Sequence, residues 1–149
     1  HGADVNAKDE NGEIALVSVA NENTEDIAKL LIENGSDVNT KNKFVETALF
    51  FAANEKALDV AQLLIEHGAE VNAKDKDGRT ALFEAAWGNA KDVAKLLIEH
   101  GADVNAKDND GETALGFAAR ENATATSCPI NASFKSAIDP IIIAISTVA

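Results

Sequence analysis

The stretches "KDKDG" at 74–78 and "KDNDG" at 107–111 hold the side chains best suited to chemistry, because aspartates alternating ahead of a glycine are what a calcium loop presents. With Gly78 as the loop glycine, Asp75, Asp77 and Glu84 fall at ligand-like positions. The first ligand position is then Ala73, and in the second stretch Ala106 and Phe117 hold the first and last positions. None of these three offers a side-chain oxygen, so the aspartates are expected to form turns rather than hold an ion. His67 and His100 stand 33 residues apart, at matching places in neighbouring segments. Matching places in stacked segments lie about 10 Å apart, too far to share one zinc ion. They read as surface residues at helix ends, where a cation suits the helix dipole. Cys128 has no histidine in a recognisable nucleophile motif, and as the single cysteine it excludes an internal disulfide. There is no glycine-rich phosphate loop, no serine elbow and no carboxylate pair placed for acid–base work. No catalytic residue, metal or cofactor is expected, and the chain reads as a non-enzyme.

The composition narrows the class further. Hydrophobic residues make up 46% and charged residues 26%, enough to bury a core and solvate a surface. No segment approaches the roughly 20 apolar residues of a membrane helix. The formal net charge is −12, a field that repels nucleic acid and anionic membrane. His1 is not an initiator methionine, so the chain reads as a piece of a longer one. The lone cysteine fits a reducing compartment, and the expected location is cytoplasmic or otherwise intracellular. The sequons at Asn122 and Asn131 matter only in a secreted chain.

What organises the chain is a beat. "HGADVNAKD" at 1–9 returns unchanged at 100–108, with "NGSDVNTKN" from Asn34 and "HGAEVNAKD" from His67 between them. Gly2, Gly35, Gly68 and Gly101 are each 33 residues apart. "LLIE" recurs at 30–33, 63–66 and 96–99, and "IALV", "TALF", "TALF" and "TALG" begin at 14, 47, 80 and 113. A fixed period of this length is the signature of stacked repeats.

The clearest unit is 75–107. Gly78 sits where a tight turn needs positive φ, and Thr80 is placed as an N-cap. Ala81, Leu82, Ala85 and Ala86 then face inward from a short helix. Val93, Leu96 and Leu97 give the second helix its apolar stripe, Gly101 closes it in the left-handed conformation, and Val104 anchors the loop that follows. Helices of about ten residues do not hold in water alone, so each unit needs its neighbours. The expected helices lie near 14–21, 24–33, 47–54, 57–66, 80–87, 90–99 and 113–121.

The pattern "DxxGxTALxxAAxxxxxxVAxLLIExGADVNAK", met almost letter for letter at 75–107, resembles the ankyrin repeat. The resemblance covers about residues 1–122 and implies an all-α, elongated, right-handed ankyrin-repeat solenoid with hairpin-like loops. Residues 1–121 then form the array: a partial repeat at 1–8, repeats at 9–41, 42–74 and 75–107, and an incomplete one at 108–121. Ankyrin repeats usually carry Thr-Pro-Leu-His where this chain has Ala15, Ala48, Ala81 and Ala114 for the proline and Val17, Phe50, Phe83 and Gly116 for the histidine. In the middle repeats a phenyl ring is expected to fill the space of the histidine. Val45 replaces the turn glycine of its unit, and because a β-branched residue at positive φ is costly, that turn is expected to take another conformation. After "TALGFAARENA" the beat is lost: Pro129 falls where a second helix should run, and Lys135 and Asp139 are the two charged residues of 122–149. That segment reads as a divergent tail.

Positions that drift between copies are expected to face solvent. They cluster at the hairpin tips and at the ends of the first helices. The resemblance implies that these places line a concave groove that grips a partner protein. The residues so assigned are Lys43, Phe44 and Glu46, Asn54 and Glu55, Lys76, Asp77 and Arg79, Trp87, Asn109, Asp110 and Glu112, and Arg120. Phe44 and Trp87 are the expected anchors, since exposed aromatics carry interfaces. Lys43, Lys76 and Arg79 are expected to form a basic island close to both rings, so that the partner presents an apolar knob beside one or two carboxylates. The expected partner is another protein, bound by a monomer, with no nucleic acid, membrane or small-molecule substrate. The alternative is a non-catalytic regulatory or targeting segment of a larger enzyme, channel or microbial effector.

Overall fold

The structure is a computed structural model and describes residues 2–125. Cys128, Pro129, the sequon at Asn131 and the expected tail from residue 126 onward lie outside the described residues. Among the described residues seven helices run in three pairs followed by a single helix: α1 (Ala15–Glu22) with α2 (Glu25–Glu33), α3 (Ala48–Asn54) with α4 (Leu58–Glu66), α5 (Ala81–Trp87) with α6 (Lys91–Glu99), then α7 (Ala114–Ala125). The first helix of each unit packs on the first helix of the next, from α1 through α3 and α5 to α7, while α2, α4 and α6 stack in a parallel row. This is the all-α repeat architecture that the 33-residue beat requires.

The spacing of apolar residues explains which faces are covered. Ala81, Leu82, Ala85 and Ala86 are all buried, and the small alanines allow first helices to approach closely. At the C-terminal end of α5 the approach is so close that a Cβ on Gly88 would lie 2.5 Å from the backbone oxygen of Asn54. Phe50 and Phe83 are buried at the position where the family usually has histidine, so packing does fill that space. Along the second row, Val60 and Val93 are fully covered, whereas Ile27, at the matching place in α2, is 50% exposed. Among the described residues no earlier second helix stacks on α2 to cover it.

Each second helix ends in the same way. Gly101 has φ +89°, its N–H donates to the Ile98 oxygen (3.1 Å), and the Ala102 N–H donates to the Leu97 oxygen (2.9 Å). These are the two hydrogen bonds of a Schellman motif. His100 Nδ1 lies 2.9 Å from the Leu96 oxygen, and His67 Nδ1 is 2.9 Å from that of Leu63, so each imidazole caps a helix-end carbonyl. The threonine caps are weaker than expected. Thr47 and Thr80 stand at the N-cap with extended backbone but make no side-chain cap bond, and the Thr47 hydroxyl is buried without a partner. Only in the last unit does the hydroxyl accept a helix N–H, from Gly116 to Thr113 Oγ1 at 3.2 Å. The helices start one residue later than expected, because the N-cap residue itself lies outside the helical region, and α7 runs past residue 121 to Ala125.

A connection between units that composition gave no hint of comes from Asn6, Asn39 and Asn72. Asn72 donates from Nδ2 to the Gly101 oxygen (3.0 Å) and accepts on Oδ1 from the Asp103 N–H (2.7 Å). Asn39 does the same with Gly68 and Glu70, and Asn6 with Gly35 and Asp37. One side-chain amide thus imitates a peptide group and brackets each unit to the next.

The turn at Val45 corrects the expectation. Val45 does take φ +66°, in the same turn as Gly12, Gly78 and Gly111, and its N–H donates to the Asn42 oxygen at 3.0 Å. Asn42 Oδ1 accepts the N–H groups of Phe44 (2.9 Å) and Glu46 (3.0 Å), and its Nδ2 reaches Glu46 Oε2 at 2.9 Å. The surroundings over-determine the turn, and the valine carries the strain. Val45→Gly is therefore expected to stabilise the array by about 1 kcal/mol, the left-handed strain relieved less the added freedom of the unfolded chain. Thermal unfolding followed by circular dichroism should show a midpoint several degrees higher; a lower one would mean that the valine contributes more by packing than it costs.

Candidate functional site

The hairpin tips are built by one acidic or amide side chain apiece. Asp75 Oδ1 accepts the N–H groups of Asp77 (2.9 Å) and Arg79 (2.8 Å), and Asp9, Asn42 and Asp108 repeat the arrangement. In the two stretches that resembled calcium loops, Oδ1 of Asp75 and Oδ1 of Asp108 are thus committed to their own turns. Neighbouring tips are tied by backbone bonds from Lys43 N to the Asn11 oxygen, Lys76 N to that of Phe44, and Asn109 N to that of Asp77. The tips therefore form a continuous edge beside the row α1, α3, α5 and α7. Among the described residues no group of three or more potential metal ligands is present.

On this face the structure separates what the sequence placed together. Phe44 is 47% exposed at its tip, with Lys76 Nζ 4.6 Å from the ring centre. Trp87 is 53% exposed and lies against Phe117, 5.6 Å between ring centres. Phe117 is itself buried beside Phe83 at 6.0 Å, with the guanidinium carbons of Arg79 and Arg120 at 4.8 and 5.2 Å from its ring centre. Arg79 also lies 3.9 Å from Asp108, and Arg120 pairs with Glu112 at 2.7 Å. The expected basic island of Lys43, Lys76 and Arg79 is thus divided: Lys76 covers Phe44, and Arg79 turns toward Phe117 and Asp108. The physical reason is that Lys76 has the Phe44 ring within reach, and Arg79 has the Phe117 ring and the Asp108 carboxylate. Phe117 is the residue that sequence reasoning missed. Its position is held by Ser18, Phe51 and Glu84 in the earlier units, so nothing in the repeat marks it.

Between α3 and α5 lies a small cleft of about 70 Å³ lined by Glu46, Phe50, Phe51, Asn54 and Glu84. Burial pushes the Glu84 carboxyl above its ordinary value, helped by the negative charges of Asp75 and Glu46 and opposed by Arg79. Among the described residues the ion pairs are Arg79–Asp108, Lys95–Glu99 and Arg120–Glu112, so neither Glu46 nor Glu84 has a contacting cation. Of the other assigned residues, Lys43, Glu55, Asp77, Asn109 and Asp110 are exposed, and Asn54 is half-buried at the cleft.

Two family models match the chain: Ankyrin repeats (3 copies) over residues 1–75 and Ankyrin repeats (many copies) over residues 64–118. No curated protein matches it. Ankyrin repeats generally mediate protein–protein interaction and are typically non-catalytic. Among the described residues no helix is long and apolar enough to cross a membrane.

Proposed function

Because the chain belongs to the ankyrin-repeat family, we propose that it binds a partner protein through the face formed by the hairpin tips and the first helices, with Trp87 as the central anchor. The observation that carries this reading is the half-exposed indole resting on the buried ring of Phe117, with Arg79 and Arg120 beside it. An aromatic plate fixed from below and open above offers a partner apolar area at little cost in side-chain freedom. Phe44, held under Lys76, is a second and more peripheral contact. The remaining assigned residues supply the polar rim that such an interface needs.

The test begins with a partner isolated by the wild-type chain and measures its affinity for two variants. Trp87→Ala should weaken binding by on the order of 2 kcal/mol while the helical signal stays largely intact. Glu66→Ala, exposed on α4 in the second-helix row, should bind as wild type. Should Trp87→Ala unfold the array instead, the ring belongs to the core and the anchor is misplaced.

A further inference from the structure

We propose that the cleft between α3 and α5 seats a positively charged side chain of the partner, a lysine or arginine flanked by apolar residues. This rests on the protein-binding reading and specifies the chemistry of the bound segment. The cleft brings two carboxylates, Glu46 and Glu84, together with the rings of Phe50 and Phe51. Phe walls beneath acidic groups suit a cation on an apolar stem, which gains from both the ring faces and the charges. Among the described residues no cation contacts either carboxylate: Arg79, whose charge acts on Glu84, is turned to Asp108 and Phe117, and the Glu46 carboxylate accepts from the Asn42 amide. Asp75 adds further negative potential, and the chain as a whole stands at −12. A carboxylate on the partner would meet repulsion here, whereas a cation would relieve the crowding of like charges.

The probes are three capped pentapeptides, Ala-Leu-X-Leu-Ala, with X as arginine, citrulline or glutamate. Citrulline keeps the shape of arginine and removes its charge. Two signals of the full chain are followed by NMR: the Glu84 side-chain carboxyl, reporting the cleft, and the Trp87 indole, reporting the face as a whole. The arginine peptide should shift the Glu84 signal saturably, the citrulline peptide should bind about tenfold more weakly, and Glu84→Gln should abolish that difference. Equal binding of arginine and citrulline peptides, or preference for the glutamate peptide, overturns the inference. If the indole still responds in that case, the protein-binding face stands and only the assigned charge is wrong. Silence of both signals with all three peptides also overturns the inference, and partner affinity of Trp87→Ala then decides the wider reading separately.

Discussion

Phe83→Ala should cost the array roughly 3–5 kcal/mol, the range for removing a fully buried phenyl ring. Phe83 is 1% exposed in the middle of the row of first helices, with Phe117 at 6.0 Å between ring centres. Ala86, one turn further along α5, is too short to close over the void. The loss should also reach beyond α5. Phe117 supports Trp87, so a cavity on its other side loosens the plate on which the indole rests. Thermal unfolding should show a midpoint lower by on the order of 10 °C or more, with Trp87 fluorescence shifted even in the folded state. A drop of only a degree or two would mean that the units collapse around the missing ring, and that packing has not taken over the role of the family's usual histidine.

Gly78→Ala should be nearly as severe, at about 3 kcal/mol. Gly78 has φ +79°, where any side chain is strained, and a Cβ there would stand 2.6 Å from Asn109 Oδ1 and 2.9 Å from its backbone nitrogen. Those atoms cannot yield without loss, because Asn109 donates from N to the Asp77 oxygen at 2.9 Å and from Nδ2 to that of Lys76 at 2.9 Å. The substitution therefore adds local strain and detaches the third tip from the fourth. Gly111→Ala has the same backbone conformation, at φ +80°, with no atom within 4 Å of the new Cβ. It should cost about 1 kcal/mol, and the difference between the two variants in chemical denaturation isolates the contact from the strain. Equal effects would show that the tip-to-tip bonds contribute nothing.

The fold was legible because the 33-residue beat repeats the same solved problem: a short helix pair that cannot stand alone, closed by Gly35, Gly68 and Gly101. What escaped notice was whatever depends on two units at once. Asn39 and Asn72 carry no chemical motif, and their constancy through copies that vary at the tips is the available signal. Val45 departs from the local rule about φ because the Asn42 side chain fixes the turn from within. The candidate site was legible in its exposed aromatics, Phe44 and Trp87, but not in how they are served. Lys76 and Arg79 lie near each other in sequence, yet their aromatic partners lie in different units: Phe44 in the preceding unit for Lys76, Phe117 in the following one for Arg79. Charge counted along the chain cannot show that.

The asparagine bracket has a consequence for how such a chain can change over generations. Asn6, Asn39 and Asn72 make the same two bonds, at 2.7 to 3.0 Å, whichever units they join. The junction is therefore indifferent to the identity of its neighbours. A recombination event that inserts or deletes 33 codons between two copies of the phrase leaves every remaining bracket able to form. The length of the array can thus drift while its joints stay sound, and the tips, which play no part in that bracket, are left to diversify.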